Sequence, residues 1–167
     1  MENIDRKAVV VFFDTDVIIN WLCKEEDINT GEKLWEAPYR IIKLVENKEI
    51  QGVSSLLNFM EIIFVLRRKK RWKDEEILDA LSKIGSVPNF SIIIPDSEDI
   101  IRGYYNQVAR LFDPFDSVYF GACSNRNIDF IITRDGDFMK NANIDEKVAV
   151  SPDEFLRQMN SSYTNSC

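Results

Sequence analysis

Histidine is absent from the 167 residues, and that absence excludes whole classes of chemistry. Serine and cysteine triads with an imidazole base, histidine-ligated zinc and histidine phosphotransfer all need that ring. The three cysteines, Cys23, Cys123 and Cys167, are odd in number, far apart and form no C-x-x-C pair. Neither a disulfide framework nor a zinc knuckle is expected of them. A catalytic cysteine would have no imidazole to activate it, so Cys123 is expected to pack in a core and Cys167 to sit in a tail. No apolar run approaches the roughly 20 residues of a membrane span. The opening "MENIDRKAVVVFF" lacks an apolar stretch with a small-residue cleavage site, so a cytoplasmic protein without a membrane partner is expected. Positive charge is also short: 21 Lys and Arg against 28 Asp and Glu give a net charge of −7. That argues against broad attraction to nucleic acid, although a small site can differ from the average. Any hydrolysis must run on carboxylates, lysine or metal-bound water.

What remains is the mix of an ordinary globular protein, 45 % hydrophobic and 29 % charged. The length suggests one domain, over residues 1–160, followed by a flexible tail at 161–167. Short β-rich runs alternate with helical patterns. A strand is expected at about 8–14, then a short helix "VIINWL", a polar stretch "KEEDINTGE", and a helix from about Pro38. "QGVSS" reads as a strand entering the long apolar helix "LLNFMEIIFVLRRKKRW". "DEEILDALSKIG" reads as an amphipathic helix with Gly85 as its C-cap. "FSIII" is a strand stopped by Pro95, and Ser97 is placed to N-cap the next helix. Asp113-Pro114 opens another. "IDFIITRD" and "VAV" are strands, "PDEFLRQM" a helix and "NSSYTNSC" a loose tail. Such alternation implies an α/β fold with a central, mainly parallel sheet flanked by helices.

In parallel sheets, ligands bind beyond the carboxyl ends of the strands. Two strands end on acids, Asp14 in "FFDTD" and Asp135 in "IITRDGDF". Two helices add Glu61, inside "SLLNFMEIIFVL", and Asp116, in the first turn of "DPFDS". Each has a structural reading of its own. Asp14 or Asp16 can be an N-cap, and Glu61 can lie on a solvent stripe with Ser54, Asn58 and Arg68. Asp113 can cap ahead of Pro114, leaving Asp116 to favour the helix dipole. Asp135 and Asp137 can be turn residues around Gly136. Their joint placement at one end of a sheet is harder to explain structurally. Carboxylates about 5 Å apart repel by roughly 3 kcal/mol per pair at an effective dielectric near 20. A divalent cation removes that cost, and oxygen-only ligands suit Mg²⁺ or Mn²⁺. Such a metal activates water and screens a phosphodiester.

"VVVFFDTDVIINWL", "GVSSLLNFMEIIFVL", "FDPFDSVYFGACSNRNIDFIITRDGDF" and "VSPDEFL" together resemble the PIN-domain family. Within it they resemble the VapC-type toxin ribonucleases, from about residue 8 to 156. The resemblance implies a PIN-like three-layer α/β fold and a Mg²⁺- or Mn²⁺-dependent endoribonuclease. It also implies an RNA substrate, a homodimer and, for toxins, a cognate antitoxin. Asp14, Glu61, Asp116 and Asp135 fall on the family's catalytic, metal-holding acids, and Asp137 on an auxiliary metal acid. Thr15, Ser54 and Thr133 match small hydroxyl positions that orient these groups. Two features depart from the pattern: the segment 24–49 is longer than in the smallest toxins, and Asp16 stands where asparagine or serine is usual. Asp16 is then an auxiliary acid.

Two other readings stay open. "FFDTDVIIN" resembles the D-x-D opening of haloacid-dehalogenase-type phosphatases, with Asp14 as nucleophile. Val17-Ile18 replaces that family's Gly-Thr, however, and "GDFMKN" ends on Asn141 instead of an acid. The other is a non-catalytic PIN-like module that binds RNA or protein. The basic run "RRKKR" either complements its helix dipole or, through Arg67, Arg68 and nearby lysines, grips RNA phosphates. Trp35, Tyr39, Trp72 and Tyr104 add to the expectation of a dimer.

Overall fold

In the computed structural model, which describes residues 8–143 and 148–164, the expected alternation is present. The elements are β1 (Val10–Phe13), α1 (Thr15–Cys23), α2 (Glu36–Glu46), β2 (Gln51–Ser55), α3 (Leu56–Arg68), α4 (Asp74–Gly85) and β3 (Phe90–Ile93). They continue as α5 (Ser97–Arg110), α6 (Pro114–Ser124), β4 (Phe130–Ile132), α7 (Gly136–Ala142), β5 (Ala149–Val150) and α8 (Pro152–Thr164). The strands form one all-parallel sheet in the order β3-β2-β1-β4-β5. β1 is central because each of its four residues is apolar and both its faces are covered. Among the described residues no helix is long and apolar enough to cross a membrane.

Strand alternation divides the core in two. Val11, Phe13, Ile132 and Val150 face a layer built from α1, α2, α3, α4 and α8. Phe12, Val53, Ile131 and Ala149 face the layer of α6 and α7, through Tyr119, Phe120, Cys123 and Phe138. Cys123 is buried there, as its spacing implied. α5 is an outer helix that reaches the rest of the protein by lying on α6. The approach is close: a Cβ on Gly121 would stand 2.9 Å from the Asp99 carbonyl oxygen, and one on Gly103 would stand 3.0 Å from Val118 Cγ2. Buried Asp99 locks the pair, accepting from Asn125 Nδ2 at 2.8 Å and pairing with Arg126 at 2.7 Å.

The chain turns back at β1. After β1 it builds outward through β2 and β3, then returns over α5 and α6 to place β4 on the other side of β1. The crevice at such a reversal lies beyond the carboxyl ends of the two strands. Asp14 N–H donates to the Ile132 carbonyl at 3.0 Å, so the two strand exits start from adjoining points.

Several local expectations need correction. Gly85 is the last helical residue and Ser86 the C-cap, with right-handed backbone, so no left-handed glycine is needed. The N-cap of α5 is Asp96, not Ser97; its carboxylate takes the Glu98 and Asp99 N–H groups, a job an acid does well at a helix start. Asp135 opens a helix, α7, where only a turn was expected. α8 continues through Thr164, into the stretch expected as tail, and 165–167 with Cys167 lie outside the described residues.

The glycines generate a paired prediction. Gly121→Ala places a methyl against backbone; overpacking of this kind costs about 1–3 kcal/mol, more than the ~1 kcal/mol of helix propensity it gains. Gly85→Ala meets nothing within 4 Å and keeps the propensity gain. Thermal melts should show Gly121→Ala below wild type and Gly85→Ala above it.

Candidate active site

Asp14 leaves β1 and caps α1 in extended backbone, 8 % exposed. Both its oxygens are engaged. Oδ1 accepts from Thr15 N at 2.7 Å and from Asn58 Nδ2 at 3.4 Å, and Oδ2 accepts from Thr133 Oγ1 at 2.7 Å. Burial nevertheless holds its carboxyl well above the usual range, with the Asp16 and Asp116 charges adding to the effect. The chain places this acid there because a strand exit and a helix start coincide in "FDTD".

Glu61 arrives on α3, which starts where β2 ends. Thr15 Oγ1 donates to Glu61 Oε2 at 2.7 Å, and Tyr119 Oη donates to the same oxygen at 3.3 Å. Asp116 sits in the first turn of α6 behind its cap Asp113. Burial, then the Asp113, Asp135 and Glu61 carboxylates, push it up to about 7. Asp135 caps α7, accepting from Phe138 N at 2.8 Å, while its own N–H donates to Thr133 Oγ1 at 3.0 Å. Asp14, Glu61, Asp116 and Asp135 all line one cavity of about 350 Å³, together with Asp16, Asn20, Glu25, Lys69 and Lys70. A larger cleft of about 730 Å³ beside the N-terminal ends of β4 and β5 holds a single carboxylate, Asp129, and lacks this convergence.

The auxiliary residues divide. Thr133 and Thr15 bind acids directly. Ser54 does not: its Oγ donates to the Phe13 carbonyl at 3.1 Å and ties β2 to the end of β1. Asp16 Oδ2 accepts from Arg134 N at 2.8 Å, which fixes the loop carrying Asp135. Burial raises Asp16 to about 6 against that hydrogen bond. Asp137 is exposed in the first turn of α7 and does not line the cavity. Asp135 takes the cap position, so Asp137 falls two residues further round the helix. Arg67 pairs with Asp74 of α4 at 2.6 Å, and neither it nor Arg68 lines the cavity; Lys69 and Lys70 do.

One central residue, Asn58, has the helical spacing of a solvent-stripe member. Asn58 is fully buried. Its Oδ1 accepts from Ser55 N at 3.2 Å, and its Nδ2 donates to Thr15 Oγ1 at 2.9 Å as well as to Asp14. It is the third residue of α3, closing a capping box with Ser55. The S-x-x-N spacing in "SLLN" was the available signal.

The donor set is wholly oxygen, and Asp16 Oδ1 is buried without a hydrogen-bond partner among the described residues. Both features fit a hard divalent cation. Among the described residues no three acids already stand close enough to form a ready-made cation cage.

With that geometry in hand, the likeness to known proteins is informative. A family model described as "PIN domain" matches residues 10–137. The chain is similar to a toxin–antitoxin complex from Klebsiella pneumoniae: 20 % identity, TM-score 0.58, covering 85 % of this chain and 97 % of that one. It is similar to VapBC2 from Rickettsia felis bound to a DNA fragment from its promoter, at 13 % identity and TM-score 0.62, with coverages of 86 % and 98 %. It is also similar to Mycobacterium tuberculosis VapC20, titled a sarcin-ricin-loop-cleaving toxin: 17 % identity, TM-score 0.57, coverages 77 % and 92 %. Likeness at these identities is likeness of fold. No curated protein matches the chain.

Crowding sets the pH dependence. Asp14, Asp16 and Asp116 all bind protons more tightly in the folded protein than at the ordinary aspartate value of 3.8. Stability therefore falls as pH rises from about 4 through 7, where the folded protein must give these protons up. Asp116→Asn removes one contribution. In metal-free buffer it should melt with wild type only near pH 3.5, where this carboxyl is protonated folded and unfolded alike, and increasingly above it from pH 5 to 8; a gap that shrinks with rising pH would contradict the assignment.

Proposed function

Because the chain belongs to the PIN domain family, whose model spans residues 10–137, we propose that it is a metal-dependent endoribonuclease and the toxin of a toxin–antitoxin pair. The observation that carries this reading is the convergence of Asp14, Glu61, Asp116 and Asp135, from four different elements, on one cavity at the sheet reversal. That position suits hydrolysis of a phosphodiester, and a phosphatase using Asp14 as nucleophile is set aside with the family. Both Asp14 oxygens are also occupied by donors, a poor state for a nucleophile. The four acids are all present, which favours a nuclease over a silent binding module.

Asp14, Glu61, Asp116 and Asp135 would hold one or two Mg²⁺ or Mn²⁺ ions, with Asp16 beside them. When bound, such an ion supplies charge against the phosphate and acidifies water. The residues do the rest. Thr133 and Asn58 fix the two Asp14 oxygens, and Thr15 fixes Glu61 Oε2. The Asp116 carboxylate, raised to about 7, accepts a proton near neutrality. Tyr119, whose hydroxyl is pushed upward by burial and the nearby carboxylates, stays protonated and donates to Glu61.

Partners fit the same reading. α5 presents Ile100, Ile101, Tyr104, Tyr105 and Val108, each 56–67 % exposed. An apolar face of this kind on an outer helix is a surface for a second copy or an antitoxin. Of the four aromatics that suggest a dimer, Tyr39 and Tyr104 are exposed, Trp35 is half-buried and Trp72 packs on the core. Sedimentation should give a species of about twice 19.4 kDa, reduced to that mass by Tyr105→Glu.

Cleavage of structured RNA tests the function. Wild type with Mn²⁺ should cut and a chelator should stop it. Asp14→Asn should fall to background, and Thr133→Val should lose about 10–100-fold, the range for groups that orient a metal-site ligand. Mn²⁺ should raise the wild-type melting temperature by mass action and that of Asp14→Asn by less. A chelator-resistant nuclease, or full activity in Asp14→Asn, would remove the proposal.

A further inference from the structure

The active-site cavity is not a round bowl. Its walls are α1, through Asp16, Ile19 and Asn20, and α3, through Glu61, Val65 and its C-cap Lys69, whose backbone stays right-handed. Glu61, Val65 and Lys69 are spaced i, i+4, i+8, so they form one stripe along α3. Eight residues at 1.5 Å rise carry that stripe about 12 Å away from the acids. The cavity is thus a groove with carboxylates at one end, an apolar middle of Ile19 and Val65, and ammonium groups at the other.

The two lysines at that end differ. Lys70 is ion-paired with Glu25, and Glu25 Oε2 accepts from Asn20 Nδ2 at 2.6 Å. This chain consumes much of the Lys70 charge and ties the groove wall to α1. It also leaves Asn20, 5 % exposed, with an Oδ1 that has no hydrogen-bond partner among the described residues. Glu25 is only an acceptor, so turning the amide over would not satisfy it. Lys69 carries its charge on the groove with no carboxylate partner among the described residues.

Resting on the ribonuclease reading above, we propose that this groove is the substrate track on one side of the cleavage point. Lys69 holds a flanking phosphate of single-stranded RNA there, and the intervening nucleotide lies against Ile19 and Val65. The separation of about 12 Å sets the register: Lys69 engages a phosphate beyond the scissile one, not the scissile phosphate itself. The arrangement also reassigns the basic run. Its phosphate-holding member is Lys69, while Arg67 is occupied by Asp74.

Lys69→Ala and Lys69→Glu test the track, with Lys48→Glu, at the far end of the sheet before β2, as the charge-matched control. Lys69→Ala should raise KM several-fold with kcat within twofold. It should also flatten the salt dependence of single-strand binding by about 0.7 in the log–log slope, the value for one phosphate. Lys69→Glu should weaken binding further, and Lys48→Glu should match wild type. The Lys69 effect should vanish on substrates shortened on one side so that no phosphate reaches it. Lys69 variants that match wild type on RNA that is still cleaved would overturn the track alone, as would an equal loss in Lys48→Glu. A wild-type protein that binds no RNA would overturn the ribonuclease reading and the track together.

Discussion

Repulsion among carboxylates at the mouth of the sheet is the constraint around which the rest of this structure is arranged. Asp14 is buried between two strand exits, yet its two oxygens are held by donors from α1, α3 and the loop after β4. Asp16, Glu25, Glu61, Asp116 and Asp135 line the same cavity, and the proton affinities of Asp14, Asp16 and Asp116 are all raised by their burial. An unpaired buried charge is expensive. A sheet that carries several of them at one end has accepted a local cost, and such costs persist where function requires them.

The scaffold meets that cost with neutral donors. Among the described residues no lysine or arginine ion-pairs with Asp14, and the groups that bind it are two threonines' backbone and hydroxyl and the amide of Asn58. Neutral donors orient a carboxylate while leaving its charge available to a cation, whereas an ion pair would already have spent it. Among the described residues, the cations that line the cavity, Lys69 and Lys70, stand just past the C-terminal end of α3. The site is therefore polarised along one helix: negative at the sheet, positive two turns away.

Much of this was legible from residue order, and the reasons differ by element. β1 was readable because a buried parallel strand is a nearly continuous apolar run, β2 ("QGVSS") only by its place ahead of the long apolar helix, and β4 because "FII" sits between polar flanks. The four acids were readable only jointly, since each sits at a cap or in a first helical turn where an acid has an ordinary structural purpose. Where the reading went astray, the cause was local hydrogen bonding. Asp96 outcompeted Ser97 for the α5 cap, and Asp135 capped a helix where Gly136 suggested a turn. Asn58 was hidden because a polar residue at helical spacing with Glu61 resembles a solvent stripe, whereas its amide is spent on Ser55, Thr15 and Asp14. Within the basic run, Lys69 and Lys70 line the cavity while Arg67 and Arg68 do not, a division that a contiguous run of cations does not reveal.

The most direct measurement of the central claim is the proton count that accompanies cation binding. Titration calorimetry of Mn²⁺ into the metal-free protein, repeated in buffers of different ionisation enthalpy, gives the number of protons released per ion. Because a cation competes with the protons that crowding places on Asp14, Asp16 and Asp116, binding at pH 6 should release at least about one proton, and at pH 8 fewer. Asp116→Asn should reduce the release at pH 6. Binding that releases no protons at pH 6, or the same number at both pH values, would contradict the account.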